Sequence, residues 1–200
     1  PTLLAALHQL QQGRQPVPPD PSLGFAANYL LMSKGAPASD EEVRAIEHYL
    51  ISTIDHGFNA STFTGRVVAG TGADLGACLV AAVGALSGPL HGGAPSRALE
   101  ALDEIGTPER ARAWVAEQLQ AGRKLMGFGH AVYRTEDPRS AMLKRIAIER
   151  GGAQVDLAIA VESEIVSALA DLKPGRQIHT NVEFFAGIVM QRCGLPPQMF

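Results

Sequence analysis

The sequence predicts an all-α protein built of many helices. Apolar residues recur at helical spacing in most segments, and Gly or Pro separates one segment from the next. Signals for β-strands are nearly absent, and LMGFGHAVY, residues 125–133, is the one candidate strand. Hydrophobic residues make up 46% of the 200 residues and charged residues 18%, a balance typical of a protein with a large buried core.

The first three helices are predicted from the residues between them. Residues 1–12 are mostly helix formers, and the prolines within residues 13–21 require a loop. A second helix is expected over residues 22–33. Ser39 and Glu42 then match a capping box, and the apolar residues that follow repeat at helical spacing.

The later helices are predicted from the same kinds of signal. In the segment TPER, Thr107 is expected to cap a helix that has Pro in its first turn and ends at Gly122. Further helices bounded by Gly or Pro are predicted over residues 139–150, 155–172 and 181–193.

Composition argues against several classes of protein. The net charge is −3 and no long basic run occurs, so we expect no nucleic-acid partner. The apolar stretch 77–86 is too short to span a membrane. Cys78 and Cys193 are far apart, which predicts two reduced core thiols and a cytoplasmic location. No two histidines have the spacing of a helical metal site, so no metal is expected.

Two of the six histidines lie in unusual surroundings. His91 is found in GPLHGG and His130 in GFGHAVY, where glycines let the backbone approach a ligand closely. A helix that begins just after His91 would direct free N–H groups toward that place, which favours a neutral imidazole and an incoming anion. Either residue could instead be an ordinary histidine of the fold.

Charged residues in two other segments are further candidates. Arg134 and Arg139 flank an Asp-Pro turn, and their guanidinium groups suit a carboxylate or phosphate, although a solvated basic turn is the alternative. Glu183 lies between Val182 and Phe184. If it is buried and unpaired its pKa rises and it becomes a stronger base, whereas an exposed glutamate at a helix start is the alternative.

Taken together and in this order, four segments resemble the citrate synthase family. The third is the most specific, because it matches G-[FY]-G-H-x-V-Y-[KR]-x-x-D-P-R at every fixed position. The resemblance covers essentially the whole chain, and because family enzymes are longer we expect this chain to be a fragment of one. The segments are DHGFNASTFTGR (55–66), GPLHGGAPSRA (88–98), GFGHAVYRTEDPR (127–139) and NVEFFAGIVM (181–190).

The resemblance implies an all-α homodimer that acts as a transferase of the tricarboxylic acid cycle. Each subunit would have a large dimerisation domain, to which residues 1–92 belong, and a small mobile CoA-binding domain, to which residues 93–200 belong. Oxaloacetate would bind first in the cleft between them, and closure near Gly92–Gly93 would precede binding of acetyl-CoA. CoA is then a co-substrate, and no permanently bound cofactor is implied.

The resemblance also assigns roles to individual residues. Glu183 matches the carboxylate that removes a methyl proton from acetyl-CoA, His91 the donor to the thioester oxygen, and His130 the histidine that polarises the ketone of oxaloacetate. The matches for oxaloacetate contacts are His56, Asn59 and Arg139. The matches for CoA contacts are Leu125, Met126, Gly127, Phe128 and Gly129 at the adenine, Arg134 at a phosphate or the pantetheine, and Asn181 near the thioester.

One position departs from the family pattern. Where this chain has Glu183 the family usually has Asp, and a carboxylate one methylene further out must be placed differently to reach the same proton. Three alternatives follow from the resemblance: a citrate synthase, a 2-methylcitrate synthase that uses propionyl-CoA, or a catalytically silent member that acts as a binding or regulatory subunit.

Overall fold

A computed structural model describes residues 1–54, 57–88, 91–92, 94–129, 135–175 and 177–199. These ranges contain ten α-helices and no β-strand, which confirms the predicted all-α class. Of the candidate strand over 125–133, the described part forms only an isolated antiparallel bridge between Phe128 and Thr180. The helices are α1 (Thr2–Gln11), α2 (Phe25–Lys34), α3 (Asp40–Ser52), α4 (Ala60–Gly70), α5 (Leu75–Leu86), α6 (Ala94–Ile105), α7 (Ala111–Gln120), α8 (Pro138–Arg150), α9 (Ala153–Leu172) and α10 (Val182–Arg192).

The predicted capping box at the start of α3 is confirmed. The Glu42 backbone N–H donates to Ser39 Oγ at 3.2 Å, and the Ser39 backbone N–H donates to Glu42 Oε2 at 2.9 Å. Each side chain therefore satisfies a backbone donor that the first turn of the helix would leave unpaired.

Two predicted helix starts differ from the structure. Helix α2 begins at Phe25 instead of residue 22, because the Ser22 backbone N–H donates to Asp20 Oδ1 and holds the preceding residues in a turn. Thr107 takes the position before a short 3₁₀ helix, Pro108–Arg110, that leads into α7, but its hydroxyl makes no capping hydrogen bond.

Helix α10 lies at the centre of the core. Seven consecutive residues, Phe184 to Met190, are buried, and the helix packs between α6 and α8 and against α3. A Cβ atom at Gly187 would lie 2.5 Å from the Pro95 carbonyl oxygen and 3.0 Å from Leu99 Cγ. The absence of a side chain at Gly187 is thus what lets α6 approach α10 so closely.

Helices α4 and α5 pack against each other and leave an apolar surface exposed. Neither helix contains a buried residue. Six large apolar side chains of this pair are more than half exposed: Phe63, Val67, Leu75, Leu79, Val80 and Val83. Among the helices in the described ranges, none is long and apolar enough to cross a membrane.

Candidate active site

One cleft of about 460 Å³ brings together four of the predicted site residues, Asn59, His91, Arg139 and Glu183. It forms where the first turns of α4, α6, α8 and α10 meet the C-terminal ends of α3 and α5. The N-terminal ends of four helices, which carry the positive end of the helix dipole, meet at this cleft, so it suits an anionic ligand. We call it the central cleft. Its other lining residues are Tyr49, Thr53, Ser61, Val83, Leu86, Ser87, Gly92, Pro95 and Val182.

His91 is held in a tight turn and directs one ring nitrogen at Ser61. The His91 backbone N–H donates to the Gly88 carbonyl at 3.0 Å, and a Cβ atom at Gly92 would collide with the Leu86 carbonyl oxygen. His91 Nε2 lies 3.3 Å from the Ser61 backbone nitrogen and 2.9 Å from its hydroxyl oxygen. Because a backbone N–H can only donate, we assign Nε2 as an acceptor, which leaves the proton of the neutral ring on Nδ1.

Asn59 is fixed by the start of α4. Its Oδ1 accepts a hydrogen bond from the Thr62 backbone N–H at 2.9 Å and another from the Ser61 hydroxyl at 2.8 Å. The side-chain NH₂ group of Asn59 is the part of this residue that could donate to a ligand in the central cleft.

Glu183 is partly buried in the first turn of α10, where Asn181 caps the helix. The Glu183 backbone N–H donates to Asn181 Oδ1 at 3.0 Å. Burial raises the pKa of the Glu183 carboxyl, and the Gly127 backbone N–H, Arg139 and Arg97 offset only part of that rise. The exposed-glutamate alternative is therefore wrong, and Glu183 is a stronger base than an ordinary glutamate.

Arg139 is paired with Asp137, which the sequence reasoning did not foresee. Arg139 Nε donates to Asp137 Oδ1 at 3.0 Å, and one Nη donates to Oδ2 at 2.8 Å. Asp137 Oδ2 also accepts from the Val182 backbone N–H at 3.2 Å. Burial by itself would raise the pKa of Asp137, which is 1% exposed, but the hydrogen bonds and charge of Arg139 hold it below its usual value. Asp137 thus connects the first turns of α8 and α10.

A second cavity, of about 380 Å³, lies on the other side of Glu183. Leu125, Met126, Gly127 and Phe128 line it together with Asn181 and Glu183, and we call it the loop cavity. Its remaining lining residues are Leu119, Gly122, Arg123, Lys124, Leu169, Lys173 and Ile178. Because Glu183 lines both spaces, this residue lies where the loop cavity and the central cleft adjoin.

The loop that lines this cavity is pressed against the start of α10. Gly127 has a φ of +86°, and a Cβ atom there would lie 2.9 Å from Phe184 Cβ. The Asn181 backbone N–H donates to the Gly127 carbonyl at 2.9 Å, and Asn181 Nδ2 donates to the Gly129 carbonyl at 2.8 Å. Gly129 does not line the cavity, and its part is to anchor Asn181.

Three predicted site residues, His56, His130 and Arg134, lie outside the described residues. The sequence reasoning also missed residues that line the two spaces. Burial raises the pKa of Tyr49 in the central cleft, the charge of Glu183 raises it further, and Arg139 offsets part of the rise, so the hydroxyl stays protonated. Ser61 is the partner of His91, and the cations Arg123, Lys124 and Lys173 line the loop cavity.

Different signals could have found these residues. A basic run, GRK, directly precedes the LMGFG segment, but no pattern in the sequence marks Tyr49 or Ser61 as cleft residues. Within the part of the chain that the structure describes, no group of three or more His, Cys, Asp or Glu residues could hold a metal ion.

The chain is similar to citrate synthases both in sequence and in structure. The family model for the citrate synthase C-terminal domain matches residues 1–200. A Mycobacterium tuberculosis protein that carries the provisional name citrate synthase 2 is 47% identical over 173 residues, which cover 86% of this chain and 46% of that protein. The chain thus spans about half the length of the curated relatives it matches.

Solved citrate synthases superimpose on nearly the whole chain. The crystal structure from Pyrobaculum aerophilum has a TM-score of 0.88 at 38% identity and covers 100% of this chain and 50% of its own. The structure from Thermoplasma acidophilum, a ternary complex with carboxymethyl coenzyme A and oxaloacetate, has a TM-score of 0.87 at 32% identity and covers 99% of this chain and 53% of its own. With the family model matched along all 200 residues, the chain belongs to the citrate synthase family.

Proposed function

We propose that the protein is a citrate synthase, which condenses acetyl-CoA with oxaloacetate and water to give citrate and CoA. The observation that carries this proposal is the position of Glu183, a residue of raised proton affinity, where the central cleft and the loop cavity adjoin. The complex of the Thermoplasma acidophilum enzyme, in which both oxaloacetate and a CoA analogue are bound, supports the same pair of ligands here.

The first step is removal of a proton from the methyl group of acetyl-CoA. The Glu183 carboxylate takes that proton, and the electron pair of the C–H bond moves to form the enol or enolate of the thioester. A thioester is too weak a carbon acid for a carboxylate without help, so the developing charge on the oxygen needs a fixed donor. Nδ1–H of His91 is that donor, because the other ring nitrogen, Nε2, accepts a hydrogen bond from the Ser61 backbone N–H.

In the second step the enol carbon attacks the ketone carbon of oxaloacetate. Arg139 would hold a carboxylate of oxaloacetate, and Asp137 fixes the orientation of the guanidinium group. The amide of Asn59 would donate to the same substrate. By resemblance, His56 completes the binding of oxaloacetate, and His130 polarises the ketone and gives a proton to the alkoxide that forms. Water then hydrolyses the thioester of the product and releases CoA.

The loop cavity would bind CoA, with Leu125 to Phe128 against the adenine and Asn181 near the thioester. Arg123, Lys124 and Lys173 line the same cavity and would pair with phosphate groups of CoA, in addition to Arg134. The resulting path for CoA leads from these cations to the Glu183 carboxylate, as the chemistry requires.

We further propose that the protein acts in the cytoplasm as a homodimer with a large and a small domain divided near Gly92. The exposed apolar side chains of α4 and α5, two helices that pack against each other, are of the kind that a second subunit would cover. Both cysteines are free, Cys193 buried and Cys78 partly exposed, which suits a reducing compartment.

The test is a CoA-release assay on the protein as encoded in full, with oxaloacetate and either acetyl-CoA or propionyl-CoA. We expect a higher kcat/KM with acetyl-CoA, by up to about 200-fold for one methylene. A preference for propionyl-CoA would make the protein a 2-methylcitrate synthase. No turnover with either would favour a catalytically silent member, the alternative that Glu183 in place of Asp keeps open.

The matched variant is Glu183→Gln, which keeps the size of the side chain and removes the base. We expect loss of condensation by at least about 10²-fold, within the range of general-base contributions, while oxaloacetate still binds. Unchanged turnover in Glu183→Gln would refute the assignment of the base.

A further inference from the structure

A buried polar network lies behind the start of α10, outside both the central cleft and the loop cavity. Glu162 on α9 is 8% exposed and Thr180 is 7% exposed. The Thr180 hydroxyl donates to Glu162 Oε1 at 2.7 Å, and Lys144 Nζ on α8 donates to Glu162 Oε2 at 2.5 Å. One carboxylate therefore ties α8 and α9 to the segment that leads into α10.

The segment around Thr180 carries the contacts that shape the candidate active site. On one side of Thr180, the His179 carbonyl accepts from the Gly129 backbone N–H at 2.8 Å. On the other side, the Asn181 backbone N–H donates to the Gly127 carbonyl, and the Asn181 side chain caps the helix at Glu183. The position of Thr180 therefore affects both the loop of residues 125–129 and the Glu183 carboxylate.

We propose, building on the proposed condensation activity, that Glu162 and Lys144 are positioning residues. Through Thr180 they fix the position of Glu183 relative to the loop of residues 125–129. Neither Glu162 nor Lys144 lines the central cleft or the loop cavity, so they act through another residue. The ion pair is only partly buried, because the Lys144 side chain is 34% exposed and the Glu162 side chain 11%, so it contributes little to stability by itself. The charge of Glu162 instead restricts the position of Thr180, because a hydroxyl bonds more strongly to a charged carboxylate than to a neutral acceptor.

The first variant is Thr180→Val in the protein as encoded in full. Valine has the shape of threonine and removes only the donor to Glu162. We expect kcat with acetyl-CoA to fall by roughly 10- to 100-fold, because a displacement of about 1 Å can cost about 10² in rate. The KM for acyl-CoA should rise with it, because the loop moves with the same segment. The KM for oxaloacetate should change less than the KM for acyl-CoA, because the two hydrogen bonds between Arg139 and Asp137 do not involve Thr180.

Two further variants decide between positioning and simple stabilisation. Thr180→Ser restores the hydroxyl and should recover kcat to within about threefold of the unaltered protein. Glu162→Gln keeps an acceptor for Thr180 but loses the charge, and it should give an intermediate kcat. If Thr180→Val does not fold, Glu162→Gln gives the deciding value.

The matched control is Lys34→Met, which breaks another partly buried ion pair, Lys34 with Glu42 at 2.6 Å near the start of α3. It should lower Tm and leave kcat and both KM values unchanged. Thr180→Val could instead lower Tm while kcat and the KM for acyl-CoA stay within about twofold of the unaltered protein. That result would overturn the positioning role and leave the proposed function intact. Absence of condensation in the unaltered protein overturns the proposed function and the positioning role together.

Discussion

Replacement of Asp137 by Asn should weaken both the fold and the binding of oxaloacetate. Asp137 is 1% exposed and accepts hydrogen bonds from the Arg139 guanidinium group through both carboxylate oxygens. Its Oδ2 also accepts from the Val182 backbone N–H. In Asp137→Asn an NH₂ group takes the place of one oxygen. If this NH₂ group replaces Oδ2, it meets the N–H groups of Arg139 and Val182, which are also donors. In either orientation the negative charge of Asp137 beside Arg139 is lost.

The size of the effect follows from this geometry. Breaking a buried ion pair by removing one partner costs about 3–5 kcal/mol. The Arg139 side chain retains some contact with solvent, so we expect a loss near the lower end, about 3 kcal/mol in the free energy of unfolding. At about 2–4 °C per kcal/mol for a domain of this size, Tm should fall by about 6–12 °C. The KM for oxaloacetate should rise by about tenfold or more, because about 1.4 kcal/mol of lost orientation is tenfold in affinity.

The pH dependence gives an independent check. The pKa of Asp137 in the folded protein lies below the ordinary value of 3.8, so its stabilising contribution is present above that value. The contribution is lost as the pH falls through the lowered pKa of the folded state. The unfolding free energies of the unaltered protein and Asp137→Asn should therefore differ most near neutral pH and converge in acid.

The assay is denaturant unfolding at neutral and acidic pH, together with steady-state kinetics in oxaloacetate. The control is Asp171→Asn, which breaks the Arg112–Asp171 pair of 2.7 Å, whose two side chains are more than half exposed. That pair should contribute only about 0–1 kcal/mol. Equal losses of stability in Asp137→Asn and Asp171→Asn, or an unchanged KM for oxaloacetate in Asp137→Asn, would refute the reasoning.

Three other outcomes are expected. Because burial raises the pKa of Glu183, kcat/KM plotted against pH should fall on the acid side at a pH above 4.5, the ordinary pKa of glutamate. A fall at or below that pH would contradict the role of Glu183 as the base. Gly187→Ala should lower the free energy of unfolding by about 1–3 kcal/mol, measured with denaturant, because the added methyl group meets the Pro95 carbonyl. At the control position, Gly70→Ala, a Cβ atom contacts nothing within 4 Å, and the loss should be less than about 0.5 kcal/mol. The double variant Lys124→Gln with Lys173→Gln should raise the KM for acyl-CoA, more at low salt than at high salt, and equal effects at both salt concentrations would argue against phosphate contacts.

The sequence predicts the helices well where their signals are local. The capping box of Ser39 and Glu42 needs only residues three apart, and its predicted hydrogen bonds are those observed. The start of α2 was predicted three residues early because its turn depends on Asn28, whose side chain binds the backbone of Asp20 eight residues away. That contact exists only after the helix has formed and folded back on the turn.

In the candidate site too, features with local sequence signals can be predicted, whereas contacts between distant residues cannot. The Gly-rich segments and the Asp-Pro-Arg turn are local patterns that make His91 and Arg139 candidates, whereas Glu183 is a candidate for its apolar neighbours and takes its role from the resemblance. That Asp137 holds Arg139 could have been expected from their spacing of two residues, but its bond to Val182 joins residues 45 apart. The bond between Ser61 and His91 spans 30 residues and carries no mark in the sequence.

The all-α class, most helix ends and the family can be predicted from the sequence alone, because each depends on short stretches of chain. The packed structure is needed to show that Glu183 is partly buried beside two cavities, that Tyr49 shares its cleft, and that Glu162 lies behind the start of α10. Proton affinity and placement depend on the burial and charges around a group, and for Glu183 these charges come from α6 and the start of α8, which meet α10 only when the chain packs.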